Sequence, residues 1–280
     1  MKIRNHFSDI HINKVVERNG FAVVPFASAE ELQDLKLFYN TLPETNSKGT
    51  YVTMFHPSYE YRKKVEQKIR QLFAAKAEKM LINYRVLFTN YMVKEPGPEG
   101  GFPVHQDWTY VDETKYASYA FWIPLSDVGV TNGALHVVPG SHKFITHLRG
   151  PFVHEPFREL SEEIKKKYSQ PVNLKAGEAL IWDHRLIHYS LPNLSNQPRI
   201  AFTLILVPEN VEVIHCFGKN NPSKSIDEVE VFDVDTTFYL NYIISNRPEN
   251  VKQKAIIEQN HISFCSDEME AIYAQYNSAK

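Results

Sequence analysis

Gly100-Gly101-Phe102-Pro103-Val104-His105-Gln106-Asp107-Trp108 sets a glycine pair just ahead of a His-x-Asp triplet. On an extended backbone, one intervening residue leaves His105 and Asp107 pointing to the same side while Gln106 faces away. Gly177-Glu178-Ala179-Leu180-Ile181-Trp182-Asp183-His184-Arg185-Leu186-Ile187-His188-Tyr189-Ser190 leads a second strand into His188, and Arg199 opens the apolar run Ile200 to Val207. Two imidazoles and one carboxylate cap one face of an octahedral metal and leave the opposite positions open, the donor set expected of a non-haem Fe(II) oxygenase. An arginine shortly after the second histidine suits the carboxylate of a keto-acid co-substrate, because its planar fork matches that group.

The triplet alone is a weak motif. A chain of 280 residues with 12 histidines and 10 aspartates yields about 0.4 such matches by chance. The surroundings add the weight. The alternating run Tyr119-Ala120-Phe121-Trp122-Ile123-Pro124-Leu125 follows the triplet, and Asn132-Gly133-Ala134-Leu135-His136-Val137-Val138-Pro139-Gly140-Ser141-His142 reads as turn, short strand and turn. Upstream, Phe21–Pro25 reads as a first strand. Ser28 and Glu31 have the spacing of a capping box, opening a helix to about Asn40. Ser58 to Leu81 has Val65, Ile69, Leu72 and Phe73 on one helical face, and Tyr84 to Val93 is strand-like. Downstream, Gly218 to Lys224 reads as a loop, and Pro248 to Gln259 and Asp267 to Tyr276 as terminal helices. Helices first, strands next and no βαβ alternation imply a mainly β fold with flanking helices, an antiparallel barrel or jelly roll.

Composition agrees. The length suits one large domain. A net charge of −2 gives no reason to expect nucleic acid or an anionic membrane as partner, and the substrate expected of the leading reading is a small molecule. Cys216 and Cys265 are too few for a disulfide framework, and no apolar signal region or membrane span is evident, so the expected setting is the cytoplasm.

From about Leu87 to Pro208 these segments, taken in order, resemble the phytanoyl-CoA dioxygenase family of iron- and 2-oxoglutarate-dependent oxygenases. The resemblance implies a double-stranded β-helix, cupin-like in form, with Fe(II), 2-oxoglutarate and O2 as cofactor and co-substrates. It implies His105, Asp107 and His188 as iron ligands and Arg199, eleven positions after His188, as partner of the distal 2-oxoglutarate carboxylate. Ser190 corresponds to a second hydrogen bond to that carboxylate, and Trp122 to an aromatic wall of the co-substrate pocket. In this organisation residues 1–83 are helical support, about 84–208 the metal-binding β-core, and 209–280 a lid or interface. Phe102, Gln106, Trp108 and Tyr110 are expected to contribute to the substrate wall. Asp107 stands where related halogenases have a small residue that admits chloride, which favours hydroxylation, desaturation or ring formation. The oligomeric state is open.

Plainer readings accompany each element. His105 and Asp107 could cap a loop and a turn. His184 competes with His188, or the two, four apart, could bind zinc from one helix face. Arg199 could pair with a surface carboxylate. At the level of function, the alternatives are a cupin-like metalloenzyme without a keto acid and a non-catalytic barrel.

Overall fold

Arg199-Ile200-Ala201-Phe202-Thr203-Leu204-Ile205-Leu206-Val207-Pro208 is apolar at almost every position because both faces of this strand are covered. Ile200, Phe202, Leu204 and Leu206 turn to a core shared with helices, whereas Ala201, Ile205 and Val207 turn to a core between sheets. The computed structural model, which describes residues 5–44, 47–144, 147–219, 226–243, 246–261 and 264–278, builds the molecule around that strand.

The elements run α1 (Ile10–Asn19), β1 (Phe21–Pro25), α2 (Ala29–Tyr39), β2 (Thr50–Val52), α3 (Tyr59–Met80), β3 (Tyr84–Lys94), β4 (Phe102–His105), β5 (Tyr119–Pro124) and β6 (Leu135–Val137). Then follow α4 (Ser161–Glu163), β7 (Gln170–Val172), β8 (Glu178–Asp183), β9 (His188–Ser190), β10 (Arg199–Pro208), β11 (Val213–Lys219), β12 (Ile226–Val234), α5 (Phe238–Asn241), β13 (Lys252–Asn260) and α6 (Ser266–Ser278). A six-stranded sheet has the order β1-β8-β5-β10-β3-β2 and a four-stranded sheet the order β4-β9-β6-β7, all pairs antiparallel. Their facing sides share one apolar core that includes Trp122, Leu135, Val137, Leu180 and Trp182. Helices α1 to α3 cover the outer face of the larger sheet. The expected jelly roll with flanking helices is the fold observed.

Local signals hold where they were strong. Ser28 and Glu31 form the reciprocal capping box of α2, and Ser58 caps α3 through the Tyr61 N–H. Helix α1, whose N-terminus is capped by Asp9, was not read from the sequence. Pro248 to Gln259, expected as a helix, is corrected: Lys252–Asn260 is β13, the outer strand of a third sheet ordered β11-β12-β13. Lys, Gln, Ala and Glu favour helix weakly, and pairing with nine-residue β12 overrides that preference. The loop expected from Gly218 overlaps the end of β11 at Gly218 and Lys219, and 220–224 lie outside the described residues. No helix among the described residues is long and apolar enough to cross a membrane.

Candidate metal centre

His105 and His188 lie directly opposite each other across the β4–β9 pair, so a separation of 83 positions in sequence closes to one rung of a ladder. Their rings stand 4.3 Å apart between centroids. Asp107 follows just past the end of β4, its backbone fixed from two sides: its N–H donates to the His184 carbonyl at 3.0 Å, and Arg149 Nε donates to its own carbonyl at 2.6 Å. Arg149 is in turn gripped by both carboxylate oxygens of the buried Glu113 at 2.7 and 2.9 Å. Asp107 Oδ1 then sits 3.9 Å from His105 Nε2 and 3.8 Å from His188 Nε2, and one donor atom from each residue lies within 4.8 Å of the others.

The hydrogen bonds leave the right atoms for a metal. His105 Nδ1 faces the Pro103 carbonyl at 2.8 Å and His188 Nδ1 the Leu186 carbonyl at 2.9 Å, so each ring keeps its proton on Nδ1 and offers the Nε2 lone pair. Trp182 Nε1 donates to Asp107 Oδ2 at 2.7 Å, which turns Oδ1 toward the histidines. Donors bonded to one ion at roughly 2.1 Å can stand no more than about 4.2 Å apart, and the 3.8 and 3.9 Å contacts satisfy that limit. Burial, then the neighbouring His188, pushes the His105 imidazolium down to about 4, so the ring is neutral at physiological pH. Burial opposes ionisation of Asp107, but the adjacent His188, His184 and His105 and the Trp182 N–H outweigh it and hold the carboxyl below its usual range. The residues fit a first-row divalent metal with nitrogen and oxygen donors.

A cavity of about 260 Å³ opens from the three donors into the barrel. Ser190, Trp122, Phe102, Trp108 and Tyr110 line it. Gln106 does not, which corrects its expected place in the substrate wall: alternation turns it away, and its amide donates to the Arg185 carbonyl. Val52, Met54 and Phe55 from the N-terminal part of the chain also line the cavity, as do Asn90, Trp182 and Thr203. The first three carried no recognisable signal. Thr203 did, as the one polar residue within the apolar run Ile200 to Val207, and Asn90 is its register partner on β3. The described lining ends at Ile205; residues beyond 209 reach the cavity only indirectly, where His215 and Tyr242 pack edge-on against Trp108.

Arg199 is not itself in the cavity lining, but its guanidinium lies 4.9 Å from the centre of the ring of Trp122, which is. It is 3% exposed, and among the described residues its Nε has no hydrogen-bond partner and its one bond is a 3.4 Å contact to the Met92 carbonyl. Burial lowers its pKa to about 9. Lys94, its register partner on β3, is also buried; its ammonium bonds to the carbonyls of Gly100 and Leu191 at 2.8 and 2.5 Å. Burial, and then Arg199 itself, pushes Lys94 down to about 7. Among the described residues neither cation has a carboxylate within ion-pair distance. Two adjacent buried cations without an acid carry positive charge that an anion would offset.

The competing readings of the histidines are resolved. His184 and His188 lie on a turn and a strand, not a helix, and His184 Nδ1 is bound to Ser118 Oγ at 2.7 Å. His136 stacks on Tyr189, and His142 Nε2 bonds the Glu17 carbonyl.

Comparison with known proteins places this arrangement. The chain is 31% identical over 134 residues to a phytanoyl-CoA dioxygenase domain-containing protein 1 homolog of Dictyostelium discoideum, covering 45% of this chain and 47% of that protein. It is 33% identical over 128 residues to a phytanoyl-CoA dioxygenase of Arabidopsis thaliana, covering 44% of each. The matched stretch thus spans about half the length of these curated relatives. Among solved structures, the fold is shared with HygX from Streptomyces hygroscopicus, crystallised with nickel, 2-oxoglutarate and hygromycin B (TM-score 0.53, 14% identity, 72% of this chain and 88% of that one). It is shared also with SnoN, a non-haem α-ketoglutarate-dependent epimerase from nogalamycin biosynthesis (TM-score 0.53, 15% identity, 88% of this chain and 94% of that one). The family model for phytanoyl-CoA dioxygenase (PhyH) matches residues 3–201, the stretch that carries both the metal donors and Arg199, and the chain belongs to that family.

Proposed function

We propose that the protein is an Fe(II)- and 2-oxoglutarate-dependent dioxygenase that hydroxylates, desaturates or cyclises a small molecule and releases succinate and CO2. The observation that carries this reading is Arg199: a buried guanidinium without an acid, behind a cavity whose mouth holds three metal donors. A cupin-like enzyme acting without a keto acid would instead use Arg199 to bind its own substrate, and Fe(II)- and 2-oxoglutarate-dependent succinate formation separates the two.

His105 and His188 present Nε2, and Asp107 presents Oδ1, to one point. Iron held there would supply dioxygen activation and the oxidation coupled to decarboxylation of the keto acid. Arg199 would hold the distal carboxylate by a charge-assisted bond, Ser190 would add a hydroxyl donor, and Trp122 would pack along the co-substrate. The apolar lining excludes water from the reacting centre. Asp107 fills the position a halide needs, which supports oxygenation over halogenation. A small-molecule substrate is supported by the size of the cavity, and nothing favours nucleic acid or a membrane. Two free cysteines support a reducing, cytoplasmic setting.

The test is anaerobic calorimetry of 2-oxoglutarate against the Fe(II)-loaded protein, followed by succinate release on admitting O2. Binding and Fe(II)-dependent succinate, both lost in Asp107→Ala, are expected. Failure of the loaded protein to bind 2-oxoglutarate overturns the proposal.

A further inference from the structure

We infer that Asn90 and Thr203 form a specificity-determining anchor for a neutral hydroxyl or amide group on an otherwise apolar substrate. This rests on the dioxygenase reading for the position of the co-substrate, and adds the substrate class.

The two residues are direct register partners on β3 and β10, and Thr203 pairs on its other side with Trp122. Each is 4% exposed and each lines the cavity beside the metal donors. Among the described residues, Asn90 Oδ1 and Thr203 Oγ1 have no hydrogen-bond partner. Buried polar side chains are nearly always satisfied, so two orphans side by side in a cavity wall mark where a ligand completes the bonding. Four residues along β10 separate the backbones of Thr203 and Arg199, roughly 13 Å; because the Arg199 guanidinium lies on Trp122, the partner of Thr203, 2-oxoglutarate affinity is measured alongside substrate probes.

The chemistry of the pair selects its partner. An asparagine amide brings donors and an acceptor whichever way it is turned, and a threonine hydroxyl does the same. A carboxylate only accepts and would leave the Asn90 carbonyl unsatisfied. An alcohol or a primary amide donates and accepts, and so satisfies both residues. Around the pair the wall is Val52, Met54, Phe88, Met92 and Ile205, and the only ionisable lining groups besides the tyrosines are the three metal donors. A charged head group would have no counter-ion here. The occupant is an apolar body with one neutral donor–acceptor group.

The chain has three tryptophans, and Trp108, Trp122 and Trp182 all line this cavity, so intrinsic fluorescence reports binding without turnover. The probes are cyclohexanol and cyclohexanecarboxamide, which donate and accept, against cyclohexyl methyl ether and cyclohexanecarboxylate, which only accept. They are titrated into protein loaded with Zn(II) and 2-oxoglutarate. The alcohol and the amide should bind at least tenfold tighter than the ether and the carboxylate. Asn90→Leu and Thr203→Val should each reduce that preference, and the double variant abolish it, with ether and 2-oxoglutarate affinities held within twofold. Thr203→Ser, which keeps the hydroxyl, should retain the preference and guards against a folding artefact. Equal binding of all four probes, or a preference that survives in the double variant, overturns the inference. So does a large loss of 2-oxoglutarate affinity in the variants, which would assign the pair to the co-substrate. If the wild type binds no 2-oxoglutarate, the dioxygenase reading falls separately, and the same probe comparison on protein with Zn(II) alone still decides this one.

Discussion

Replacing Trp182 by Phe keeps an aromatic ring beside His188 but deletes the single N–H that orients Asp107. Trp182 Nε1 donates to Oδ2 at 2.7 Å, and among the described residues it is the only hydrogen bond that oxygen receives. Without it the carboxylate is free to rotate about its terminal torsion, and the oxygen meant for the metal is no longer held toward His105 and His188. A hydrogen bond to a charged acceptor contributes about 1.5–3 kcal/mol. At about 1.4 kcal/mol per decade, the metal should bind about 10- to 100-fold more weakly, the range typical of partners that orient a metal ligand. The smaller ring will also cost folding stability, since Trp182 is buried in the core between the sheets. For that reason the assay is metal affinity of the folded variant, measured by chelator competition with Zn(II) and with anaerobic Fe(II), and not melting temperature. A dissociation constant within threefold of wild type, in a variant with a native spectrum, would refute the claim that this bond aims the carboxylate.

Arg199→Ala should raise the KM for 2-oxoglutarate by well over tenfold, since losing a charge-assisted pair in a desolvated pocket costs about 2–5 kcal/mol. Arg199→Lys should recover only part of it, because the planar fork is gone; an unchanged KM in initial-rate measurements would place the clamp elsewhere. Acid should destabilise the metal-free protein: burial pushes His215 from 6.5 down to about 3 and His142 down to about 4. Between about 6.5 and those values the unfolded chain takes up protons that the folded chain refuses. Stability is therefore fully present above 6.5 and falls with pH, by up to about 1.4 kcal/mol per unit for each group. Thermal melts from pH 7 to 5 should show the fall and His215→Phe should flatten it, whereas coincident slopes would contradict the assignment. Truncation after Asn210 should yield insoluble protein, because it removes Phe238, Tyr239 and Tyr242 from the core that Phe88 and Tyr110 share. A soluble, metal-binding fragment would show instead that 211–280 is a dispensable cover.

The strands and the metal donors were legible because their constraints are local. The alternation of Tyr119–Leu125, the unbroken apolar run after Arg199 and the one-residue gap between His105 and Asp107 each encode backbone geometry directly. The capping box at Ser28 and Glu31 did the same for α2. What the sequence did not disclose depends on distant partners. β13 is a strand because β12 lies beside it, not because Lys252–Asn260 favours one. Val52, Met54 and Phe55 enter the cavity because β2 pairs with the far edge of β3, a contact with no trace in their own residue types. Gln106 shows the limit from the other side: adjacency to two ligands suggested the substrate wall, while the alternation that places those ligands turns it away.

The division of labour between the two sheets has a mechanical consequence. His105 and His188 belong to the four-stranded sheet, and Arg199 to the six-stranded one. A keto acid held at the metal and at Arg199 would span the gap between the sheets as a cross-brace, adding to the hydrogen bonds that already join them from Lys94 and Trp182. Loading should therefore slow amide exchange at the facing strands β4, β9, β3 and β10 together, while β13, on the separate three-stranded sheet, exchanges as before. A bound co-substrate would be the strut that stiffens the sandwich before any chemistry begins.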